Sequence, residues 1–213
     1  CYAQQPQAAN PQFVVPKGYP KDAAQRVRYL MVEEKQQVLL AATTEGLIVS
    51  RLEPQADRMI FRLHQREANR TQSLSSSGMM DIIKAHNGRL YVSTESGGVN
   101  LIEDADLLKE QLTFRHYTVQ NHMLPSDVVM SMAPMPNGRC AIVSSHLVSI
   151  VDSTTQYRQL DTHYFNADYR FSEARPLMVD NDTWIFGLND GAFLTTTHQM
   201  ERQTYQPQMV LTC

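Results

Sequence analysis

The chain has 213 residues, 42% apolar and 19% charged, and 19 basic against 22 acidic side chains leave a formal net charge of −3. That is the composition of a globular protein rather than a disordered one, and it offers no electrostatic case for nucleic acid or an anionic membrane surface. No apolar run approaches the roughly 20 residues of a bilayer span, and Cys1, Cys140 and Cys213 lack any metal, haem or redox spacing, so no cofactor is expected.

In chain order, residues 1–12 are rich in Gln, Ala and Pro without periodicity and read as a linker. Phe13 to Val15 is a short strand candidate, closed by Pro16, Gly18 and Pro20. A first unit of four strands follows: Val27 to Val32, Val38 to Ala42, Gly46 to Ser50 and Arg58 to Leu63. The second has the same plan, with Met79 to Ile83, an Asn87-Gly88 hairpin turn, Leu90 to Thr94, a Gly97-Gly98 turn, Val99 to Ile102, and Leu112 to Tyr117. The third runs through Val128 to Met132, a turn at Gly138, Cys140 to Ser144, Leu147 to Val151 and Tyr157 to Leu160. The fourth runs through Arg175 to Val179, Thr183 to Gly187 and Gly191 to Leu194, and Met209 to Thr212 is a last strand candidate. Residues 104–111 have the look of an exposed insert of one or two turns.

Gly46, Gly98 and Gly191 fall at the same distance after the starts of their preceding strands, Val38, Leu90 and Thr183; in the third unit His146 lies near that place. A repeat of about 46 residues made of strands and turns cannot bury its own apolar face and must stack on its neighbours. Four-stranded units of this period predict an all-β fold of about four antiparallel propeller blades. Gly46, Gly88, Gly98, Gly138 and Gly191 are then blade-turn residues, and Trp184 and Cys140 are core residues.

These units resemble the two-component regulator propeller repeat. The likeness rests on Asp81 through Gly88, Leu90-Tyr91-Val92-Ser93-Thr94, Gly97-Gly98-Val99, and the link from Phe114-Arg115-His116-Tyr117 to Leu124-Pro125-Ser126-Asp127-Val128. Residues 166–174, Phe186 to Phe193 and Gln206 to Thr212 resemble the end of the second propeller of Bacteroides-type hybrid two-component sensors. The resemblance implies that residues 1–25 are a linker and the outer strand of a preceding blade, 26–199 about four blades of a seven-bladed ring, and 200–213 an exit strand toward a β-sandwich. It further implies a non-catalytic, periplasmic sensor segment of a membrane-anchored histidine kinase, with an oligosaccharide as ligand. The remaining blades, the β-sandwich and a second copy of the chain would be its partners. A protein-binding scaffold and a propeller glycosidase or lyase are the alternatives.

The candidate binding surface is the long link between the third and fourth units, where Arg158, His163, Tyr164, Tyr169 and Arg170 concentrate aromatic rings and guanidinium groups. Rings stack on sugars and Arg forks hold carboxylate or sulfate; the same rings could equally cover a blade edge. The pairs Asp104/Asp106 and Asp180/Asp182 could be drawn as acid–base carboxylates, but they sit in an insert and a turn. The seven histidines share no strand face at ligand spacing, so no metal site is expected, and Ser75 to Ser77 and Ser144-Ser145 have turn rather than nucleophile context.

Overall fold

The computed structural model describes residues 2–3, 13–21, 26–151, 157–165, 168–180 and 182–201. Strands β1 (Tyr2–Ala3) and β2 (Phe13–Val14) pair with each other, so part of the predicted linker is paired backbone. Blade A is β3 (Val27–Glu33), β4 (Val38–Thr43), β5 (Gly46–Arg51) and β6 (Phe61–His64). Blade B is β7 (Met79–Lys84), β8 (Leu90–Thr94), β9 (Val99–Ile102) and β10 (Phe114–Tyr117). Blade C is β11 (Ser131–Pro134), β12 (Cys140–Val143), β13 (Val148–Val151) and β14 (Tyr157–Leu160). Blade D holds β15 (Leu177–Met178), β16 (Thr183–Gly187) and β17 (Ala192–Thr196), three strands rather than four among the described residues. The sheet of each blade is an antiparallel meander whose strands follow one another in chain order.

Two short helices, α1 (Thr162–Phe165) and α2 (Thr197–Glu201), flank blade D, and Met200 of α2 is buried against that blade. The predicted exit strand after it lies outside the described residues. The first strand of blade C begins at Ser131, later than the apolar run at Val128 suggests, because Val128 is half exposed before the ladder starts. The stretch 104–111 is not a free insert: Leu107 is buried between blades A and B.

The core is three apolar layers between successive blades. Leu40, Leu47 and Val49 of blade A meet Ile82, Val92 and Phe114 of blade B. Tyr91, Val99 and Leu101 on the other face of blade B meet Met132, Cys140 and Ile142 of blade C. Ala141, Val143 and Ile150 of blade C meet Phe171, Trp184 and Phe186 of blade D. Inside the second layer, burial pushes the Cys140 thiol up to about 12, so it is a packed, unreactive side chain. The outward faces of blades A and D carry exposed apolar residues. Leu30 is 57% exposed, and Leu177 and Leu194, in one cross-strand row with Ile185, are each 61% exposed. Among the described residues blades A and D therefore do not close on each other, and the four blades form an arc.

The blade-turn glycines answer to the outer strands. A Cβ on Gly46 would lie 2.4 Å from the His64 carbonyl oxygen, and one on Gly98 2.2 Å from that of Tyr117; both backbones have positive φ. Gly191 accepts the equivalent turn hydrogen bond from Leu188 N–H, yet a Cβ there would meet nothing, because no fourth strand lies beside it among the described residues. In blade C the equivalent acceptor is Leu147, not His146.

Two expectations follow. Gly98→Ala should cost about 2 kcal/mol or more from the strained backbone and the steric overlap, whereas Gly191→Ala should stay within about 0.5 kcal/mol of wild type. Equal midpoints for the two variants in urea denaturation would refute this account. His64 is buried at the A–B interface, edge-on to Phe114, and its Nε2 has no hydrogen-bond partner among the described residues. Burial, with Arg70 and Arg62 adding to it, pushes its pKa down to about 4. The folded chain thus keeps this ring neutral while the unfolded chain protonates it near pH ~6.5, so stability is full above that pH and falls as the pH drops toward about 4. Between about pH 7 and about pH 4.5 the stability difference between wild type and His64→Phe should shift by about 2 kcal/mol in favour of the variant, measured by urea unfolding at both pH values.

Candidate functional site

Two surfaces concentrate chemistry-bearing side chains. The first is the link between blades C and D. Phe165 centres a run of rings, with Tyr164 at 5.2 Å, Tyr169 at 5.6 Å, Phe171 at 5.7 Å and Phe193 at 5.0 Å between centroids. Tyr164 and Tyr169 are half-buried in this packing, and burial pushes the Tyr164 phenol up. The Tyr164 hydroxyl donates to the Gln199 carbonyl. Both predicted tyrosines therefore cover the blade D core while keeping part of each ring in solvent. Arg158 lies over the Tyr164 ring, 5.8 Å from its centroid. Arg170 is exposed and forms a separate polar group with His146 and with Asp168 at 3.4 Å. The structure thus splits the predicted set into Arg158–Tyr164 and Arg170–Asp168–His146, joined through Phe165 and Tyr169. The His163 side chain lies outside the described residues.

The second surface is the axis of the arc, where the first strands of the blades converge on an open cavity of about 410 Å³ lined by Arg28, Tyr29, Met80, Asp81, Met130, Glu173 and Arg175. Its wall is organised by the Asp81 carboxylate, 7% exposed. Asp81 Oδ2 accepts the Met132 N–H at 3.0 Å and Arg175 Nε–H at 3.3 Å, while Oδ1 accepts Ile82 N–H at 2.8 Å and Arg175 Nη2. Arg175 also donates to the Ile82 carbonyl at 2.8 Å and to the Tyr29 hydroxyl, and its guanidinium stacks 4.0 Å from the Tyr29 ring centroid. Asp81 and Arg175 together therefore link blades A, B and C to the segment that enters blade D. Sequence reasoning missed this group, although a signal was present. An Asp inside the apolar strand Met79-Met80-Asp81-Ile82-Ile83 has to be paired if the strand is buried.

The carboxylate pairs considered as acid–base groups are occupied in local structure. Asp180 accepts the N–H groups of Asp182 and Thr183, and these bonds hold its carboxyl below the usual range. Burial would raise Asp104, but its bonds from Lys109 and Thr113 outweigh that and leave it lowered. His116 bonds the Ser73 carbonyl oxygen at 2.7 Å. Among the described residues no three His, Cys, Asp or Glu side chains converge as a metal site, and no helix is long and apolar enough to cross a membrane.

If Asp81 holds the blades in register, Asp81→Ala should cost about 3 kcal/mol by stranding Arg175 and the Met132 N–H. Equilibrium urea unfolding measures this, and a loss below about 0.5 kcal/mol would show the cluster to be energetically idle.

No family model and no curated protein matches the sequence. Solved structures do match. The extracellular domain of BT3049, a hybrid two-component system of B. thetaiotaomicron, aligns with 92% of the chain at a TM-score of 0.63 and 19% identity. That of BT4673, a one-component system of the same organism, aligns with 79% at a TM-score of 0.57 and 16% identity. YCF48 bound to D1 peptide aligns with 79% at a TM-score of 0.53 and 14% identity. The chain spans 25% of the BT3049 domain, 20% of the BT4673 domain and 49% of YCF48. At these identities the likeness carries the fold: the chain is a run of β-propeller blades, similar to part of the extracellular domains of those B. thetaiotaomicron systems.

Proposed function

We propose that the chain is a non-catalytic sensor segment from the extracytoplasmic, periplasmic part of a membrane-anchored hybrid two-component histidine kinase, and that its ligand is an oligosaccharide. The observation that carries this reading is the likeness to the BT3049 extracellular domain over 92% of the chain. The link surface supports the ligand class, because partly exposed Tyr164 and Tyr169 rings lie beside Arg158 and Arg170, a combination suited to sugar faces and their acidic substituents. On this reading the open faces at Leu30 and at Leu177 and Leu194 are covered by adjoining blades of the same parent chain, which acts as a homodimer. Ligand then biases the arrangement of propeller and following domain, and so the kinase across the membrane.

A second reading, a scaffold that binds a protein segment, is favoured by the likeness to YCF48 bound to D1 peptide. The two part in a thermal-shift screen of the chain against an oligosaccharide panel. The sensor reading expects at least one oligosaccharide to raise the melting temperature, with Arg158→Ala or Arg170→Ala weakening that ligand about tenfold. No response to any oligosaccharide would sink the carbohydrate reading, and saturable binding of peptides instead would favour the scaffold.

A further inference from the structure

Three residues lining the axial cavity occupy the same place in their blades. The β3–β4 register skips between Val27 and Tyr29, and the β7–β8 register skips between Met79 and Asp81, which sets Arg28 and Met80 out of their ladders. Met130 stands just ahead of β11, with its N–H on the Val143 carbonyl at 2.8 Å. Irregularities of this kind re-aim a side chain and are concentrated beside binding sites. Here they put three side chains from three blades around one cavity of about 410 Å³, a volume in the range that holds a small molecule.

The charges around the cavity differ in what is left for a ligand. The Arg175 guanidinium is spent on Asp81, on the Ile82 carbonyl and on Tyr29, and Asp81 accepts four hydrogen bonds. Arg28 of blade A and Glu173, just before blade D, are instead exposed and have no hydrogen-bond or ion-pair partner among the described residues. Among the described residues the cavity therefore offers one unpartnered guanidinium, one unpartnered carboxylate and two polarisable thioethers, against a wall already neutralised internally.

We propose that the axial cavity binds a small carboxylate that carries hydrogen-bond donors at its other end, with Arg28 holding the carboxylate and Glu173 accepting the donors. An Arg fork matches a carboxylate in two-point geometry, whereas Glu at neutral pH only accepts, so it selects hydroxyl or ammonium groups. Met80 and Met130 line the space between with adaptable apolar surface. This chemistry is shared by sugar acids and by free amino acids. The site is distinct from the link surface and independent of the oligosaccharide reading, since it uses different residues and a monomeric ligand.

The test is isothermal titration of the chain with glucuronate, with glutamine and with glucose as the uncharged control. One of the two acids should bind and glucose should not, and which acid binds identifies the source of the ligand. Arg28→Gln should weaken that acid by at least about tenfold and Glu173→Gln by several-fold. Both side chains are exposed and have no partner among the described residues, so the unliganded melting temperature should not move in either variant. Arg170→Ala, on the link, should leave the affinity unchanged. The proposal is overturned if neither acid binds, if glucose binds equally well, if Arg28→Gln binds like wild type, or if Arg170→Ala is as damaging as Arg28→Gln. An oligosaccharide that depends on Arg170, with no acid that depends on Arg28, would sustain the link reading and sink this one.

Discussion

The structure depends on the burial of each blade's two faces against its neighbours. A four-stranded meander of this size has almost no interior of its own. Leu90 and Val92 can leave water only against blade A, and Tyr91 and Leu101 only against blade C. Removing a side chain of that size from water is worth about 1.5–3 kcal/mol, and each inter-blade layer contains many of them. The consequence is visible in blade B, where every residue of β8 and β9 is buried, Ser93, Thr94 and Asn100 included.

Apolar stacking is non-directional, so something else must set how the blades sit relative to one another. Polar contacts across the layers do this. Asp81 reaches Met132 N–H and Arg175, Ser131 Oγ donates to the Ala174 carbonyl at 3.1 Å, and Lys84 of blade B pairs with Glu33 of blade A. Asn100 does similar work within the second unit, bonding Ser75 through both its amide oxygen and its amide nitrogen. These groups sit near the axis or at layer edges, where an unpaired polar atom would be costly and a mispaired one would force a shift of the whole blade.

The same constraint explains where apolar surface stays exposed. Blades B and C are covered on both faces, whereas the outward rows of blades A and D remain in solvent. Tyr19 and Phe61 cover part of blade A's outer side, burying Ala41 and Ile48, but Leu30 and Val32 stay exposed. At blade D the open space beside Gly191 matches the three-stranded sheet found among the described residues, and the row of Leu177 and Leu194 stays exposed.

Much was legible in the sequence. The period of the repeat, the glycine turns and the apolar strands determined the number of blades, their strand order and the burial of Trp184 and Cys140, because these depend on short-range geometry and on the need to bury apolar surface. Only the tertiary structure decided the rest. The rings of Tyr164 and Tyr169 pack into the blade D core, the stretch around Leu107 tucks between two blades, and Asp81, Arg175 and Tyr29 meet at the axis although they lie far apart in the chain. No spacing rule links those three residues. They are brought together by stacking blades around a common axis, and a repeat pattern shows that blades stack without showing which polar side chains they bring face to face.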